Sequence, residues 1–237
     1  MNLIALQMKT TEDFKNNLEK LEELIKQCPE NSIISTPELA LCGFAYKNMK
    51  EASDFSQIAI PKIQALSQNK IIVTTLIIEE EGKFYNTLYM FYNEKIVHTQ
   101  SKTVLFALGD ETVYFTASQN KIKIIEINGL KIASLICFEL RFPKLWEEIK
   151  GADIIINPAM WGIKRKDHYE SISKALALVN QAFVIACNSS NDNMAKGSAI
   201  ISPFGNIVKN DEKEIITSKF DRDEIVKTRR YIDIGLK

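Results

Sequence analysis

The sequence predicts an α/β layered sandwich in which two β-sheets face each other and helices cover the outer faces. Apolar strands alternate with amphipathic helices along the whole chain, which is typical of α/β proteins. Hairpin signals occur beside strands that are separated by helices, so antiparallel and parallel pairing are both expected. The 237 residues are 46% apolar and contain no linker rich in proline, glycine or serine, which favours a single domain over 1–237.

The first half of the chain opens with an apolar strand, predicted at residues 2–7. A helix is predicted at 11–27 because apolar side chains recur there with a period of about 3.6 residues. Either Thr10 or Asp13 can cap its first turn. The later elements are four strands and a second helix, at 32–35, 51–68 (the helix), 71–78, 84–92 and 95–98. The strands at 71–78 and 84–92 are expected to form a hairpin.

The second half contains the strongest short hairpin signal of the sequence, Asn128-Gly129. It joins strands predicted at 121–127 and 130–136. Pro143 is expected to open the next helix, because proline is favoured in the first turn of a helix. The remaining predicted elements are a strand at 153–157, a helix at 169–180, a strand at 183–188, further short strands and a helix near Asp221.

The balance of charge and hydropathy excludes several classes of partner. Lysine plus arginine and aspartate plus glutamate number 30 each, so the surface has no net charge with which to attract nucleic acid or anionic lipid. No apolar run approaches the ~18 residues of a membrane span, and the start of the chain does not fit a signal peptide. We therefore expect a cytoplasmic protein with no nucleic acid and no membrane as partner.

The cysteines and histidines do not form a metal-binding pattern. No Cys-x-x-Cys pair occurs, and without an export signal the four cysteines are expected to be free thiols. The histidines, His98 and His168, do not stand at ligand spacing from a cysteine or from each other. We expect no metal and no cofactor. The four cysteines are Cys28, Cys42, Cys137 and Cys187.

Three polar residues, Glu38, Lys102 and Cys137, each directly follow a predicted strand. Ligand chemistry in α/β proteins gathers at the carboxyl ends of strands, so these side chains are expected to converge on one rim. Each alone also fits a structural role: a buried cysteine that packs, a loop carboxylate and a solvated lysine. Only the combination of the three favours catalysis.

A thiol, a carboxylate and an amine are sufficient for acyl transfer. Cys137 would be the nucleophile, and the helix expected at Pro143 would favour its thiolate. Because histidine is so scarce, Glu38 is the better candidate for the base. The ammonium of Lys102, with a backbone N–H near Phe138, would stabilise the oxyanion.

Four segments of the sequence match the motifs of a known family. They are TPELALCGF at 36–44, Tyr85-Asn86, KTVLF at 102–106 and ICFELRFP at 136–143. In this order they resemble the nitrilase superfamily of carbon-nitrogen hydrolases, whose members carry a Glu-Lys-Cys triad. The resemblance implies that Glu38 is the general base, that Lys102 is the triad lysine and that Cys137 is the nucleophile.

Further residues are similar to the omega-amidase-like branch of that superfamily. Glu111 matches an additional glutamate that would position the substrate or the nucleophile, and Arg165 follows NPAMW at 157–161 and would bind a substrate carboxylate. Tyr46 and its neighbour Phe44 would either line the pocket or cover the core. The candidate substrate-binding residues are Phe138, Trp161, Arg165 and Tyr46.

The resemblance implies a four-layer αββα sandwich that assembles into a homodimer or a higher homo-oligomer. The implied reaction is hydrolysis of a small-molecule amide without a cofactor, and an omega-amide of a dicarboxylate is the favoured substrate. Hydrolysis of an N-carbamoyl amine or of a nitrile would use the same triad. A catalytically silent member that binds a metabolite is the alternative from another functional class.

Five positions depart from the family pattern. Val104 replaces a histidine, Phe138 and Glu139 replace Tyr-Asp, and Leu176 and Val179 replace an arginine and a glutamate. The last two changes motivate the silent alternative, because polar residues are expected there. Since the triad is complete, the departures are expected to change the pocket and its polar network rather than the reaction type.

Overall fold

Two six-stranded β-sheets form the centre of the structure, a computed structural model that describes residues 1–236. The strands are β1 (Asn2–Leu6), β2 (Ser32–Ser35), β3 (Lys70–Glu80), β4 (Lys83–Tyr92), β5 (Lys95–Ser101), β6 (Ile125–Ile127), β7 (Leu130–Ser134), β8 (Ile154–Ala159), β9 (Phe183–Asn188), β10 (Ala199–Ile201), β11 (Ile207–Lys209) and β12 (Ile215–Lys219).

The directions of the strands bring the carboxyl ends of two strands, β2 and β5, to the same end of the first sheet. The first sheet has the order β12-β1-β2-β3-β4-β5 and the second has β11-β10-β9-β8-β7-β6. In the first sheet β2 pairs in parallel with β3, and two antiparallel pairings then make β5 run in the same direction. In the second sheet β7, β8 and β9 are mutually parallel. The carboxyl ends of β2 and β5 therefore meet at one edge of the first sheet.

Helices cover the outer faces of both sheets. The α-helices of the described residues are α1 (Phe14–Gln27), α2 (Met49–Ala65), α3 (Glu111–Tyr114), α4 (Pro143–Glu148), α5 (Lys166–Asn180) and α6 (Arg222–Tyr231), and of these α2 packs on the first sheet and α5 on the second. The α1 helix begins where Asp13 accepts a hydrogen bond from the backbone N–H of Asn16 at 3.0 Å, so Asp13 is the cap. Leu21 of α1 packs with Ile34 of the first sheet.

The largest apolar cluster lies between the two sheets and joins side chains from both of them, such as Leu3 and Val73 from the first and Ile155 from the second. These side chains are fully buried, and each contributes about 1.5–3 kcal/mol of transfer free energy. The predicted fold class, a four-layer αββα sandwich, is confirmed.

Several element boundaries differ from the predicted ones. The strand expected at 121–127 is reduced to β6, because the backbone N–H of Ile122 donates to the Glu148 carboxylate at 3.2 Å. No helix within residues 1–236 has the length and apolar character needed to cross a membrane. The single-domain organisation stays a prediction, and its expected end at Lys237 lies outside the described residues.

Candidate active site

Glu38 stands on a sharp bend that links the two sheets. Its backbone N–H donates to the carbonyl of Ala159, the last residue of β8, at 3.1 Å. The next residue, Leu39, has a φ of 47°, in the left-handed region, and its N–H donates to the Thr75 hydroxyl at 2.6 Å. These two bonds fix a backbone shape that leucine seldom adopts. The bend directs the Glu38 side chain inward, where it is fully buried.

Lys102 follows β5 and lies between two carboxylates. Its Nζ is 2.7 Å from Oε1 of Glu38 and 2.8 Å from Oε1 of Glu111. Its backbone N–H donates to the carbonyl of Asn86, whose amide donates to the same Glu38 oxygen at 2.8 Å. Burial on its own would lower the pKa of Lys102, but the charges around it, Glu38 first, raise it well above its ordinary value. The lysine is therefore an ammonium at neutral pH.

Glu111 occupies the first turn of α3 and completes the buried charge cluster. Its second carboxylate oxygen accepts a hydrogen bond from the backbone N–H of Phe106 at 3.1 Å. Burial, followed by the negative charge of Glu38, raises the pKa of Glu111 to about 7. One proton can therefore be held within this cluster near neutral pH.

Cys137 is the first residue of a 3-10 helix, Cys137–Arg141, and its φ is 49°. A left-handed conformation costs a residue other than glycine about 1–2 kcal/mol, so the surroundings must hold it. Burial and then the charge of Glu38 raise the pKa of the thiol well above its ordinary value, although Lys102 opposes them. Burial therefore opposes the thiolate that the start of the helix is expected to favour. The direction of this change favours the thiol form of Cys137.

The other three cysteines lack this environment. All four are free thiols, and burial raises the pKa of Cys28 to about 11 and that of Cys42 to about 12. The Cys187 thiol is buried between two backbone carbonyls, those of Leu6 and Ser35, each at 3.2 Å. Among the described cysteines, Cys137 alone lies with a buried carboxylate and an ammonium.

The Cys137 sulfur faces a cavity of about 140 Å³. A void of ~150 Å³ admits a molecule of the size of benzene, so the cavity suits a small ligand. Its walls combine aromatic rings with two arginines and a carboxylate. The lining residues are Phe44, Tyr46, Phe106, Gly109, Glu111, Cys137, Phe138, Arg141, Met160, Trp161 and Arg165.

All four residues predicted to bind substrate, Tyr46, Phe138, Trp161 and Arg165, line this cavity. The Tyr46 hydroxyl donates to the carbonyl of Gly109 at 2.5 Å, and its ring stacks on that of Tyr114 with centroids 4.3 Å apart. Tyr46 thereby connects its own loop to the segment that carries Glu111.

Arg141 is a further candidate binding residue, beyond the four that are predicted from the sequence. Its guanidinium lies 4.6 Å above the Trp161 ring, and that of Arg165 lies 5.1 Å from the Phe106 ring. Burial and then the charge of Arg165 lower the pKa of Arg141. Neither arginine forms an ion pair with a carboxylate in the described part of the chain. The feature of the sequence that points to Arg141 is its position in the motif at 136–143, four residues after Cys137.

The residues that depart from the family pattern have distinct surroundings. Val104 is half-buried against the main core, Leu176 is fully buried, and Val179 is 53% exposed on α5. Glu139 is fully buried beside the segment that follows Lys102. Within residues 1–236, no cluster of three or more histidine, cysteine, aspartate or glutamate side chains could hold a metal ion.

The chain is similar to known proteins over almost its whole length. The profile of the family described as carbon-nitrogen hydrolase matches residues 3–230. A Bacillus subtilis (strain 168) protein named 2-oxoglutaramate amidase is 30% identical, over 92% of this chain and 89% of its own length. Omega-amidase YafV of Escherichia coli (strain K12) is 27% identical, over 81% of this chain and 77% of its own. The structure of Saccharomyces cerevisiae Nit3, of the nitrilase superfamily, has a TM-score of 0.87 at 21% identity and covers 100% of this chain and 96% of its own.

Proposed function

Because the chain belongs to the carbon-nitrogen hydrolase family, we propose that it hydrolyses a small-molecule amide through a thioester on Cys137. The observation that carries the proposal is the buried group of Glu38, Lys102 and Glu111 beside the thiol that faces the cavity. Together with the Cys137 thiol, this group supplies a base, a positive charge and a nucleophile, and acylation needs no further protein group.

In the acylation step the Cys137 sulfur attacks the amide carbonyl carbon, and its proton passes to Glu38. The Oε2 atom of Glu38 is buried and has no hydrogen-bond partner among the described residues, so it is free to accept that proton. The carbonyl oxygen becomes an oxyanion, which the Lys102 ammonium and the backbone N–H of Phe138 stabilise. The C–N bond then breaks, and Glu38 returns the proton to the leaving nitrogen.

In the deacylation step a water molecule attacks the thioester carbonyl and gives a proton to Glu38. The C–S bond breaks, the carboxylic acid product forms and Cys137 regains its proton. Glu111 is a second carboxylate partner of the Lys102 ammonium, and the two ion pairs keep the ammonium directed at the reacting oxygen. Glu38 therefore serves both steps, and Lys102 keeps one charge state throughout.

We further propose that the substrate is an omega-amide of a dicarboxylate. Support comes from the guanidinium groups of Arg141 and Arg165, which line the cavity without carboxylate partners in the described chain. Arginine binds a carboxylate with two parallel hydrogen bonds, so a free acid group on the substrate would fill this position. The relatives named 2-oxoglutaramate amidase and omega-amidase fit the same substrate class.

The experiment that tests the function is a panel of amides with two measurements, ammonia release and intact mass of the protein. The panel contains omega-amides of dicarboxylates and 2-oxo dicarboxylates, an uncharged amide, an N-carbamoyl amine and a nitrile. We expect fast ammonia release from an omega-amide and a mass increase on Cys137 that equals its acyl group. Faster turnover of the carbamoyl amine or the nitrile would contradict the substrate class, and absence of turnover and adduct throughout the panel would contradict the function.

Arg165→Met is expected to raise KM for an omega-amide about 10- to 100-fold, because a hydrogen-bonded charge contributes ~1.5–3 kcal/mol. The value of kcat should change little, since the bond is to a remote part of the substrate. Steady-state ammonia release measures both constants. The matched control is an uncharged amide of the same length, for which the variant and the unmodified protein should be equal. An equal loss with both substrates would contradict a carboxylate-binding role.

The homodimer also stays a proposal, and an exposed apolar patch supports it. Leu178 and Val179 of α5 lie exposed on one outer face, and the exposed Phe204 and Tyr231 rings have centroids 6.5 Å apart. The Leu178 side chain borders Gly205, so these residues adjoin one another. Contiguous exposed apolar surface marks interaction sites, and a second copy of the chain would cover it. A cytoplasmic location likewise stays a prediction.

Leu178→Lys is therefore expected to convert a dimer to a monomer in sedimentation velocity, because it places a charge in the buried interface. Ile58→Lys is the matched control, since Ile58 is equally apolar and exposed but lies on α2 in the opposite helical layer. A dimer that survives Leu178→Lys would contradict this interface.

A further inference from the structure

Glu139 makes three short hydrogen bonds beside the candidate site, although it does not line the cavity. It is fully buried. Its Oε1 accepts from the backbone N–H of Thr103 at 2.6 Å and from the Thr103 hydroxyl at 2.7 Å. Its Oε2 accepts from the backbone N–H of Ile136 at 2.7 Å. A single carboxylate therefore receives three donors from two segments of the chain.

The two segments are those that carry the lysine and the nucleophile. Thr103 directly follows Lys102, at the end of the first sheet, and Ile136 directly precedes Cys137, at the end of the second. The position of the Lys102 ammonium relative to the Cys137 sulfur thus depends on the side chain that joins their neighbours. The same carboxylate fixes the backbone that enters Cys137, whose φ is in the left-handed region.

The contacts fit an ionised carboxylate. Every group within hydrogen-bonding distance of Glu139 is a donor, and two of them are backbone N–H groups that cannot become acceptors. Burial raises the pKa of Glu139, while its hydrogen bonds and the charge of Lys102 oppose that rise. A glutamine at this position would place its own NH2 group, a donor, against one of the three donors that Glu139 now accepts from.

We propose that Glu139 is a positioning residue that sets the distance between the Lys102 ammonium and the Cys137 thiol. The inference rests on the proposed function, because it assumes that this pair performs the chemistry. Glu139 does not touch substrate; it acts through Thr103 and Ile136. Displacement of about 1 Å in a catalytic group can lower the rate about 100-fold, so losing the hydrogen bonds that join Thr103 and Ile136 through Glu139 should have a measurable effect.

The test compares the unmodified protein with Glu139→Gln, which keeps the volume of the side chain and removes its charge. Cys137 alkylation by iodoacetamide is followed by peptide mass across pH 6 to 9, well below the melting temperature of each variant. We expect alkylation about 10-fold slower and kcat for the best amide lower by about 10- to 100-fold. KM should stay within about twofold, because the cavity walls are unchanged.

The direction in which the Cys137 alkylation rate changes in Glu139→Gln distinguishes a loss of positioning from the loss of a negative charge. Removal of a nearby negative charge would by itself lower the pKa of the Cys137 thiol and speed alkylation. A slower reaction therefore reports a lost geometry between the thiol, Glu38 and Lys102. Alkylation needs no substrate, so the measurement stands even before the preferred amide is known.

Two further variants control for folding. Thr103→Val removes only the hydroxyl donor to Glu139 and keeps the backbone N–H, so we expect alkylation about threefold slower in a protein that folds normally. Glu148→Gln is the matched control, because Glu148 also accepts a backbone N–H, that of Ile122, but lies away from the cavity. It should leave alkylation unchanged.

The outcomes distinguish this inference from the proposed function. Unchanged or faster alkylation in folded Glu139→Gln would overturn the positioning role and leave the function intact. If Glu139→Gln fails to fold, Thr103→Val decides, and alkylation at the unmodified rate in that variant would overturn the role. Absence of an acyl adduct on Cys137 with every amide of the panel would instead contradict the nucleophile itself.

Discussion

Cys137→Ala should abolish the thioester adduct and lower kcat/KM by at least about 10⁴-fold, because no other group can replace the nucleophile. The fold should be retained, since alanine removes the sulfur without adding volume and the left-handed conformation at this position is held by its neighbours. Intact mass after incubation with the best amide and steady-state ammonia release are the two measurements. The melting temperature should change by only a few degrees.

Cys42→Ala is the matched control for this experiment. Cys42 is also a buried thiol, and burial raises its pKa to about 12, but it lies outside the group formed by Glu38, Lys102 and Glu111. Its replacement should leave both the adduct and the turnover unchanged. Turnover that persists in Cys137→Ala, or an adduct that moves to another cysteine, would exclude Cys137 as the nucleophile.

The convergence of Glu38, Lys102 and Cys137 could be predicted from sequence because it follows from topology. Each residue comes after a strand, and strands that run in the same direction deliver their carboxyl ends to one edge. Asn86 is likewise predictable, since Tyr85-Asn86 matches a family motif and the Asn86 amide donates to Glu38. The chemical types and their order along the chain carried this information.

Other properties of the site depend on three-dimensional detail that spacing does not encode. The start of a helix near Cys137 is visible in the sequence, whereas the burial of its thiol beside Glu38, which raises the thiol pKa, is not. The sequence does not predict that Arg141 lines the cavity, because the direction of a side chain on a short 3-10 helix cannot be read from its position. The sequence shows Glu139 only as a departure from the family pattern. Its hydrogen bonds to Thr103 and Ile136 could not be predicted, since these residues follow strands of different sheets.

Lys102→Met is expected to lower both activity and stability, because it leaves Glu38 and Glu111 buried without the ammonium that lies between them. Removing one partner of a buried ion pair costs about 3–5 kcal/mol. The loss of the charge that faces the oxyanion should lower kcat about 10²- to 10³-fold. Melting temperature and steady-state ammonia release measure the two effects.

The loss of stability in Lys102→Met should become larger as the pH rises. The pKa of Glu111 is about 7 in the unmodified protein, above its ordinary value of 4.5, and loss of Lys102 raises it further. A carboxyl group with a raised folded pKa favours the folded state at low pH, and that contribution is lost as the pH rises through the folded pKa. The difference in melting temperature between the unmodified protein and Lys102→Met should therefore be smaller at pH 5 than at pH 8.

Lys166→Met provides the control for this pH dependence. Lys166 also pairs with a carboxylate, that of Asp211, but both side chains are about 30% exposed, so solvent screens the pair and its contribution is at most about 1 kcal/mol. The pKa of Asp211 is lowered rather than raised, so its stabilising contribution is fully present at both pH values. If Lys102→Met and Lys166→Met showed the same pH-independent loss, Lys102 could not be the charge that keeps two buried carboxylates together.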